Sequence, residues 1–330
     1  MYKIKKQDFS IIIDELIKNK NRIISYSNDG NNFKNISSSN ELIIDSSIRP
    51  SKMSLKEIVF PKTEPLFYYK RTNDNVELKD VKFDSVKTII IGAKPCDAKA
   101  FSSISKVFNW DYKDNFFNSK YENTIIIGLK CNYKDEYCFC NEVGLSQSSK
   151  EGSDIFIEQD GEFYFLSILT EKGKNLLQPF MNYLKEESKE SNVADVDKNI
   201  DLNKVRTWVT DNFDSDFWYS ISQECLGCGK CAFICPTCHC FDIVDENYTY
   251  FEGRRMKNWD ACQFSKFTLH ASGHNPRDIQ AKRYRQRIAH KFKYYFDKFD
   301  ELLCTGCGRC SRECPVSINI FDVINEINAK

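Results

Sequence analysis

Two cysteine runs of one pattern lie in the last third of the chain. They are Cys225-x2-Cys228-x2-Cys231-x3-Cys235-Pro236 and Cys304-x2-Cys307-x2-Cys310-x3-Cys314-Pro315. Three thiolates on one tight loop and a fourth at the start of a departing segment are typical of [4Fe-4S] ligands. The runs therefore predict two such clusters and favour electron transfer as the function.

The ligand sets follow from the exchange of the fourth cysteine. In two-cluster ferredoxins that cysteine binds the other cluster. Cluster 1 is therefore predicted to be held by Cys225, Cys228, Cys231 and Cys314, and cluster 2 by Cys304, Cys307, Cys310 and Cys235. Glycines between the cysteines allow the backbone to bend closely around each cluster. The two cofactors would then tie both runs into one domain.

Zinc and disulfides are the alternatives for these cysteines. Structural zinc also uses C-x2-C pairs, but it typically joins two short knuckles, whereas each run here carries four cysteines and ends in Cys-Pro. The chain has 15 cysteines, an odd number, and no apolar N-terminal signal precedes them. This clustered usage indicates a reducing, metal-loading compartment, so we expect a cytoplasmic protein.

Composition narrows the classes of partner. The 330 residues suffice for two domains with sizeable cores. Lys plus Arg and Asp plus Glu both number 47, so no global charge points to nucleic acid or to an anionic membrane. No apolar stretch approaches the roughly 20 residues of a membrane span. We expect no nucleic-acid partner and no direct membrane contact.

The first half has the pattern of an α/β domain. Residues 86–92 and 123–128 are short β-branched runs, each ending in glycine, and a helical stretch lies between them at residues 98–108. A strand–helix–strand order of this length predicts a parallel βαβ unit. Both strands would then present their carboxyl ends at one edge of the sheet, where ligands of open α/β sheets bind.

Cysteines stand at both of those strand ends. Cys96 follows the first strand, Cys131 follows the second, and Cys138 and Cys140 come a short loop later. Their convergence predicts a third [4Fe-4S] cluster (cluster 3) held by Cys96, Cys131, Cys138 and Cys140. A redox-active dithiol at Cys138 and Cys140 is one alternative, and scattered buried thiols are another.

The remaining patterns suggest where the domains meet. Asp160-Gly161 between alternating apolar residues predicts a hairpin, and residues 171–187 have helical apolar spacing. The acidic and polar stretch 185–201 favours a linker, although it also fits the end of a helix followed by a loop. We therefore expect an α/β domain at 1–190 and an iron–sulfur domain at 200–330.

The second domain is predicted to be an α-helical ferredoxin domain. Residues 205–222 are aromatic and helical in pattern, and the two cysteine runs are far apart with basic helical sequence between them. A small β-rich ferredoxin would need a short connection instead. The fold class is thus an α/β N-terminal domain plus an α-helical two-[4Fe-4S] ferredoxin domain.

Two features stay open. Cys238, Cys240 and Cys262 are unassigned, and they either pack as buried thiols or form part of another metal site with His239. The basic stretch 282–293, interleaved with tyrosines, is either a solvated helix face or a docking surface for a partner subunit or an acidic electron carrier.

Nucleotide-binding fingerprints are missing from the sequence. It contains neither a G-x-G-x-x-G motif after a strand nor a Walker A loop, so it offers no such route to NAD, FAD or ATP. We expect hydride transfer and substrate chemistry to take place on other subunits.

Several motifs in fixed order resemble a known family. They are residues 89–101 (IIIGAKPCDAKAF), residues 138–144 (CFCNEVG), the Cys225 to Cys240 run, residues 259–262 (WDAC), residues 270–277 (HASGHNPR) and the Cys304 to Pro315 run. Together they resemble the beta subunit of cytoplasmic NAD(P)-linked sulfhydrogenases and, more distantly, the iron–sulfur subunit of anaerobic sulfite reductase. The resemblance covers most of the chain from about residue 49 onward.

The resemblance implies an electron-transfer subunit without catalytic residues of its own. Its expected partners are a flavin subunit that exchanges hydride with NAD(P)H and a catalytic subunit of hydrogenase or sulfite reductase type, with ferredoxin as a further candidate. Iron–sulfur subunits of one kind serve several reductases, so the terminal substrate does not transfer with the motifs. Two alternatives are a stand-alone reductase of disulfides or sulfur species at the extra cysteines, and a structural subunit whose clusters only hold helices together.

Overall fold

The computed structural model describes residues 1–188 and 199–330. The predicted linker falls largely on residues 189–198, which lie outside the described residues. The strands are β1 (Tyr2–Lys5), β2 (Arg22–Tyr26), β3 (Phe33–Ile36), β4 (Thr63–Arg71), β5 (Val76–Asp80), β6 (Thr88–Ala93), β7 (Thr124–Leu129), β8 (Ile155–Asp160), β9 (Phe163–Ile168), β10 (Lys185–Glu186), β11 (Phe241–Asn247) and β12 (Glu252–Trp259).

Helices flank and follow these strands. They are α1 (Lys6–Lys18), α2 (Pro95–Phe108), α3 (Asn115–Glu122), α4 (Glu171–Leu177), α5 (Leu202–Asp211), α6 (Phe217–Ser222), α7 (Lys230–Phe233), α8 (Gln280–Ala289), α9 (Tyr295–Phe299), α10 (Arg309–Arg312) and α11 (Ile320–Ala329). Short 3-10 turns cover Ser39–Glu41, Leu55–Ile58 and Gln178–Tyr183. A π-helical turn, His290–Tyr294, joins α8 to α9.

The described residues form a large mixed sheet in the order β10-β1-β9-β8-β7-β6-β2-β3. Its central strands β2, β6, β7 and β8 are parallel. All residues of β6 and β7 are buried, as expected for strands covered on both faces. Because β6, α2 and β7 form a parallel unit, the predicted α/β class is confirmed for the first half of the chain.

Each face of the central sheet packs against its own helices. On one face, Ile89, Ile91, Ile125 and Ile127 join the apolar stripe of α1. Alternate residues of the same strands, including Ile90 and Ile126, meet α2 and α3 on the other face. Isoleucines that alternate between the two faces of these strands thus build both layers of the core, and they determine where along the sheet each strand ends.

The second half of the chain is less helical than predicted. Strands β11 and β12 form an antiparallel hairpin, and β12 continues onto β4 and β5 in a second sheet, ordered β11-β12-β4-β5. The expectation of a purely α-helical domain was therefore wrong for residues 241–259. The described helices α5, α6, α8 and α11 do share a core that contains Val205, Trp218, Ile288 and Ile324.

The stretch 171–187 also differs from the helix predicted for it. The α-helix ends at Leu177, a 3-10 turn follows, and β10 then pairs with β1. Pro179 explains the change, because a proline inside an α-helix removes one backbone hydrogen bond and clashes with the preceding turn. The predicted hairpin is confirmed, since β8 and β9 pair around Asp160 and Gly161. Among the described helices, none is both long and apolar enough to cross a membrane.

Gly306 is one of the places where the two halves of the chain meet. A Cβ added there would lie 2.5 Å from both Cys140 Cα and Phe139 C, which is closer than real Cβ atoms approach a backbone. The backbone N–H of Phe139 also donates to Gly306 O at 2.9 Å. Gly306 has φ +62°, a left-handed value that favours glycine. Two backbones can therefore touch here only because this residue has no side chain.

We predict that Gly306→Ala destabilises the protein more than Gly273→Ala does. Both glycines have positive φ, which costs a side chain about 1–2 kcal/mol, but a Cβ at Gly273 would have no neighbour within 4 Å. Overpacking against Cys140 should add about 1–3 kcal/mol at Gly306 alone. Apparent Tm values of the two variants measure the difference, and equal values would contradict the close contact.

Candidate iron–sulfur sites

The first cysteine run surrounds a cavity, here named the cluster 1 cavity. It is lined by Cys225, Cys228, Cys231 and Cys314, the four ligands predicted for cluster 1, and by Cys310. The side chain of Gln280 donates from Nε2 to Cys225 Sγ at 3.2 Å. Cys228 is exposed, whereas the other cysteines of the cavity are half-buried. One edge of this site therefore reaches the protein surface.

The second run folds back toward Cys235. The thiols of Cys304 and Cys307 lie close enough to those of Cys310 and Cys235 to interact with them electrostatically. Gly306 and Gly308 take left-handed conformations, so the loop turns tightly before α10 begins. The structure thus brings together the four residues predicted for cluster 2. The ligand sets themselves stay predictions.

The four strand-end cysteines also converge. Cys96 lies in the first turn of α2 after β6, and Cys131 follows β7. A cavity, here named the cluster 3 cavity, is lined by Cys96, Cys131, Cys138 and Cys140, and additionally by Cys307 and Gly306. Burial raises the pKa of Cys138 to about 12 and that of Cys140 to about 11. As free thiols they would therefore be protonated and poorly nucleophilic at neutral pH.

Buried polar atoms without a partner lie at each site. Tyr26 Oη, Asp97 Oδ1 and Arg309 Nη1 have no hydrogen-bond partner among the described residues, and Tyr26 is an electrostatic neighbour of Cys96 and Cys131. Thr305 Oγ1, between two cluster 2 cysteines, is also unpartnered, as is Arg287 Nη2 beside the cluster 1 cavity. An unsatisfied buried group costs about 1–3 kcal/mol. Clusters carrying sulfide and thiolate acceptors fit the four donors, Tyr26, Arg309, Thr305 and Arg287, whereas Asp97 Oδ1 is itself an acceptor.

Cys235 is surrounded by positive charge. Lys291 lies in the π-helical turn with 2% of its surface exposed, and its Nζ donates to Cys235 Sγ at 3.2 Å, to Thr237 Oγ1 at 3.0 Å and to Leu303 O at 2.9 Å. Burial alone would lower the pKa of Lys291, but Cys235 and Cys238 outweigh it and raise that pKa.

Two further cations complete this surrounding. Arg287 donates from Nη1 to Cys238 Sγ at 3.5 Å, and Lys56 donates from Nζ to Ala232 O and Cys238 O, both at 2.9 Å. Among the residues that the structure describes, no carboxylate pairs with Arg287, Lys56 or Lys291. Burying unpaired cations is costly. An anionic cluster bound by Cys235, as predicted, would supply the missing negative charge.

The basic stretch 282–293 is therefore not the solvated face that its composition favoured. Arg283, Arg285, Arg287 and Lys291 are all buried, the last two beside predicted cluster ligands. The composition of this stretch did not predict the burial of its cations, because the cysteines that they contact lie elsewhere in the chain. Sequence reasoning missed Lys56, Tyr26 and Arg309 altogether, since each stands alone in its segment.

Two arginines near the cluster 3 cysteines pair with carboxylates. Arg309, 1% exposed, donates from Nη2 to Asp97 Oδ2 at 2.7 Å and from Nε to Ser51 O at 2.6 Å. Arg312 pairs with Asp135 in a bidentate contact at 2.7 and 2.8 Å, with Cys138 Sγ 3.6 Å from its Nη2. Lys94, which interacts electrostatically with Cys131 and Cys96, instead donates from Nζ to the carbonyl oxygens of Asp45 and Ser46 at 2.9 and 3.0 Å.

The three unassigned cysteines fall into two contacts. Cys238 contacts Cys235, and Cys240 contacts Cys262 through a hydrogen bond between their thiols. The bond from Cys240, aided by Arg287, lowers the pKa of Cys262 to about 6. Within residues 1–188 and 199–330, no three His, Cys, Asp or Glu side chains are grouped to hold a single metal ion. Cys238, Cys240 and Cys262 with His239 are thus not arranged as such a site.

Comparison with known proteins supports the cluster chemistry. Residues 224–318 match the family model described as a 4Fe-4S dicluster domain. The chain is also similar to Sulfhydrogenase 2 subunit beta of Pyrococcus furiosus, with 29% identity over 261 residues, which cover 76% of this chain and 77% of the relative. No solved structure gives a significant match. The resemblance predicted from the motifs is confirmed, and [4Fe-4S] clusters are the cofactors of the dicluster domain.

We predict that Lys291→Met lowers the reduction potential of the cluster bound by Cys235. The substitution removes a buried positive charge and an N–H···S hydrogen bond, both of which favour the reduced, more negative cluster. Lys291→Arg should preserve most of the effect because it keeps the charge. Redox titration monitored by EPR measures the potentials.

Lys293→Met is the matched control. Lys293 lies two residues further on, and its Nζ pairs with Asp297 at 2.6 Å near the surface. We expect it to leave all potentials unchanged. Equal potentials for Lys291→Met and the unmodified protein would show that Lys291 has no electrostatic influence on the cluster.

Proposed function

We propose that this chain is an electron-transfer subunit that carries three [4Fe-4S] clusters. It relays electrons between a flavin/NAD(P)H-binding subunit and a catalytic subunit of hydrogenase or sulfite reductase type. The observation that carries this proposal is the position of the Cys304–Cys310 loop. Cys307 lines the cluster 3 cavity, while Cys310 lines the cluster 1 cavity. The cluster 2 ligands therefore lie between the other two sites.

This placement gives the sites an order. Cluster 3 lies at the edge of the large sheet, cluster 2 at the junction of the two halves, and cluster 1 near the surface. Each bound cluster would accept and release one electron at a time. The protein surface beside cluster 1 is formed by the exposed Cys228 and by Leu226, which is 68% exposed. That end is suited to electron exchange with a partner protein.

Two observations support working with partner subunits. The name of the similar Pyrococcus protein describes it as a subunit. The sequence of this chain also lacks the nucleotide-binding fingerprints that hydride exchange with NAD(P)H would call for. The flavin and the terminal catalyst then belong to other subunits, with ferredoxin as a further candidate partner, and the complex would be cytoplasmic.

The stand-alone reductase is less well supported. A dithiol that attacks disulfides or sulfur species needs a thiolate, yet burial raises the pKa of Cys138 to about 12 and that of Cys140 to about 11. Their common cavity with Cys96 and Cys131 favours shared ligation instead. The ligands would bind as thiolates because the iron stabilises the deprotonated form.

Iron content tests the number of clusters. Anaerobically purified protein should contain about twelve iron and twelve sulfide ions per chain, four per cluster. Cys96→Ser should reduce both to about eight and remove one reducible EPR signal, and Cys140→Ser should do the same. Cys262→Ser, outside the three ligand sets, should leave the iron content unchanged. About eight iron ions in the unmodified protein would refute the third cluster.

The source of electrons tests the relay. We expect NADH or NADPH to leave the clusters of the isolated chain oxidised, because the proposal assigns the flavin to another subunit, whereas dithionite reduces them. In the complex with the flavin subunit, NAD(P)H should reduce the same clusters, as followed by EPR and visible absorbance. Steady reduction of a disulfide or polysulfide by the isolated chain, with dithionite as donor, would favour the stand-alone reductase.

A further inference from the structure

Cys240 and Cys262 form a thiol pair outside the three ligand sets. Cys240 immediately precedes β11, and Cys262 follows β12 by three residues. The strand register pairs Phe241 with Trp259, and the N–H of Asp260 donates to Cys240 O at 3.0 Å. The base of the hairpin thus holds the two segments together. The thiols contact each other directly, and the backbone N–H of Cys262 also faces the Cys240 sulfur.

The pair lies between the two clusters of the dicluster domain. Cys262 is an electrostatic neighbour of Cys231, a predicted cluster 1 ligand. On the other side, Cys240 is a neighbour of Cys238, which contacts Cys235, a predicted cluster 2 ligand. A redox change at this pair would therefore occur within short range of both one-electron centres.

The surroundings differ from those of an inert packed thiol. Burial raises the pKa of Cys96 well above its usual value, as expected for a thiol in an apolar site. Cys262 is equally buried, with 7% exposed, but it accepts a hydrogen bond from Cys240, has Arg287 as an electrostatic neighbour and contacts Gln263 Nε2 at 3.5 Å. These contacts stabilise the thiolate, which is the form that makes a disulfide.

We propose that Cys240 and Cys262 are a redox-active dithiol that stores two electrons beside the clusters. The proposal rests on the proposed function, because the electron acceptors are the two clusters of the dicluster domain. The proposal assigns a role to two of the three cysteines that belong to no predicted ligand set.

The reaction balances with those two clusters as the redox partner. When the Cys262 thiolate and the Cys240 thiol close to a disulfide, one S–S bond forms, the one S–H bond of Cys240 is lost and one proton is released. The two electrons pass one to each of the two oxidised clusters. Reduction runs in reverse, with one proton, and with one electron from each reduced cluster. Closing draws the sulfur atoms from contact to about 2.05 Å. Cys240 is partly exposed, so protons can reach water on its side.

A dithiol that stores two electrons matches the number of electrons that the proposed relay receives from one hydride. A hydride carries two electrons, whereas each cluster takes one. A dithiol between two clusters can hold both electrons of one hydride while a partner removes them singly. The chain could then take up both electrons of one hydride from the flavin subunit even when electron transfer to the catalytic subunit is slow.

Thiol trapping at controlled potentials tests the proposal on the cluster-loaded chain. Anaerobic samples are poised with mediator dyes, quenched in acid, and denatured with an alkylating reagent. In fully reduced samples all 15 cysteines should be alkylated, since unfolding also releases the cluster ligands. In oxidised samples two fewer should react, and mass spectrometry should find a peptide linked through Cys240 and Cys262. The transition should have the slope of a two-electron couple.

Matched substitutions separate a redox role from packing. Cys262→Ser and Cys240→Ser should each abolish the link and reduce electron uptake by two in a reductive titration, whereas Cys238→Ser should retain the link. Iron is measured on the same samples. The proposal is overturned if no Cys240–Cys262 link appears at any potential at which the iron content stays intact. A low iron content together with an intact link would count against the third cluster and leave the dithiol standing.

Discussion

The buried cations around Cys235 impose the strongest constraint on the molecule. Lys291, Arg287 and Lys56 are at most 4% exposed, and their hydrogen bonds go to sulfur, hydroxyl and carbonyl atoms. Unpaired charges in a protein interior destabilise the fold by several kcal/mol each unless an opposite charge is near. Anionic clusters at the predicted sites would offset these charges. Folding of the second half would then be coupled to cluster insertion, as in other small metal domains.

Local backbone geometry positions these buried cations. The π-helical turn His290–Tyr294 interrupts the long helix that begins at α8, and such turns recur at functional sites. It places Lys291 against Cys235, while Arg287, one turn earlier, faces Cys238 and the cluster 1 cavity. One helix thus supplies positive charge to the predicted sites of both clusters of the dicluster domain.

A close backbone contact and a buried ion pair hold the second cysteine run against the first half of the chain. Gly306 lies against the backbone of Cys140, and Arg309, three residues on, pairs with Asp97 in the first turn of α2. The second cysteine run therefore lies against the edge of the α/β sheet. The contact links the architecture of the first half to the function of the second.

Much of this could be predicted from local patterns. The isoleucine runs of β6 and β7 specify buried parallel strands, and the topology of a βαβ unit then brings Cys96 and Cys131 to one edge. The basic stretch 282–293 was harder, because exposed and buried cationic helices have similar compositions. The β11–β12 hairpin was missed since its strands are largely polar and gain their place by pairing with β4, which is distant in the sequence.

The sequence by itself determined the cofactor type, because the spacing of cysteines along a loop is a local property that only a few metal centres can satisfy. It also determined the parallel strands, whose apolar period is visible residue by residue. Tertiary structure alone decided which sites are neighbours, which cations lie beside cysteines, and that Cys240 meets Cys262. These features depend on contacts between distant segments, and no local sequence pattern indicates such contacts.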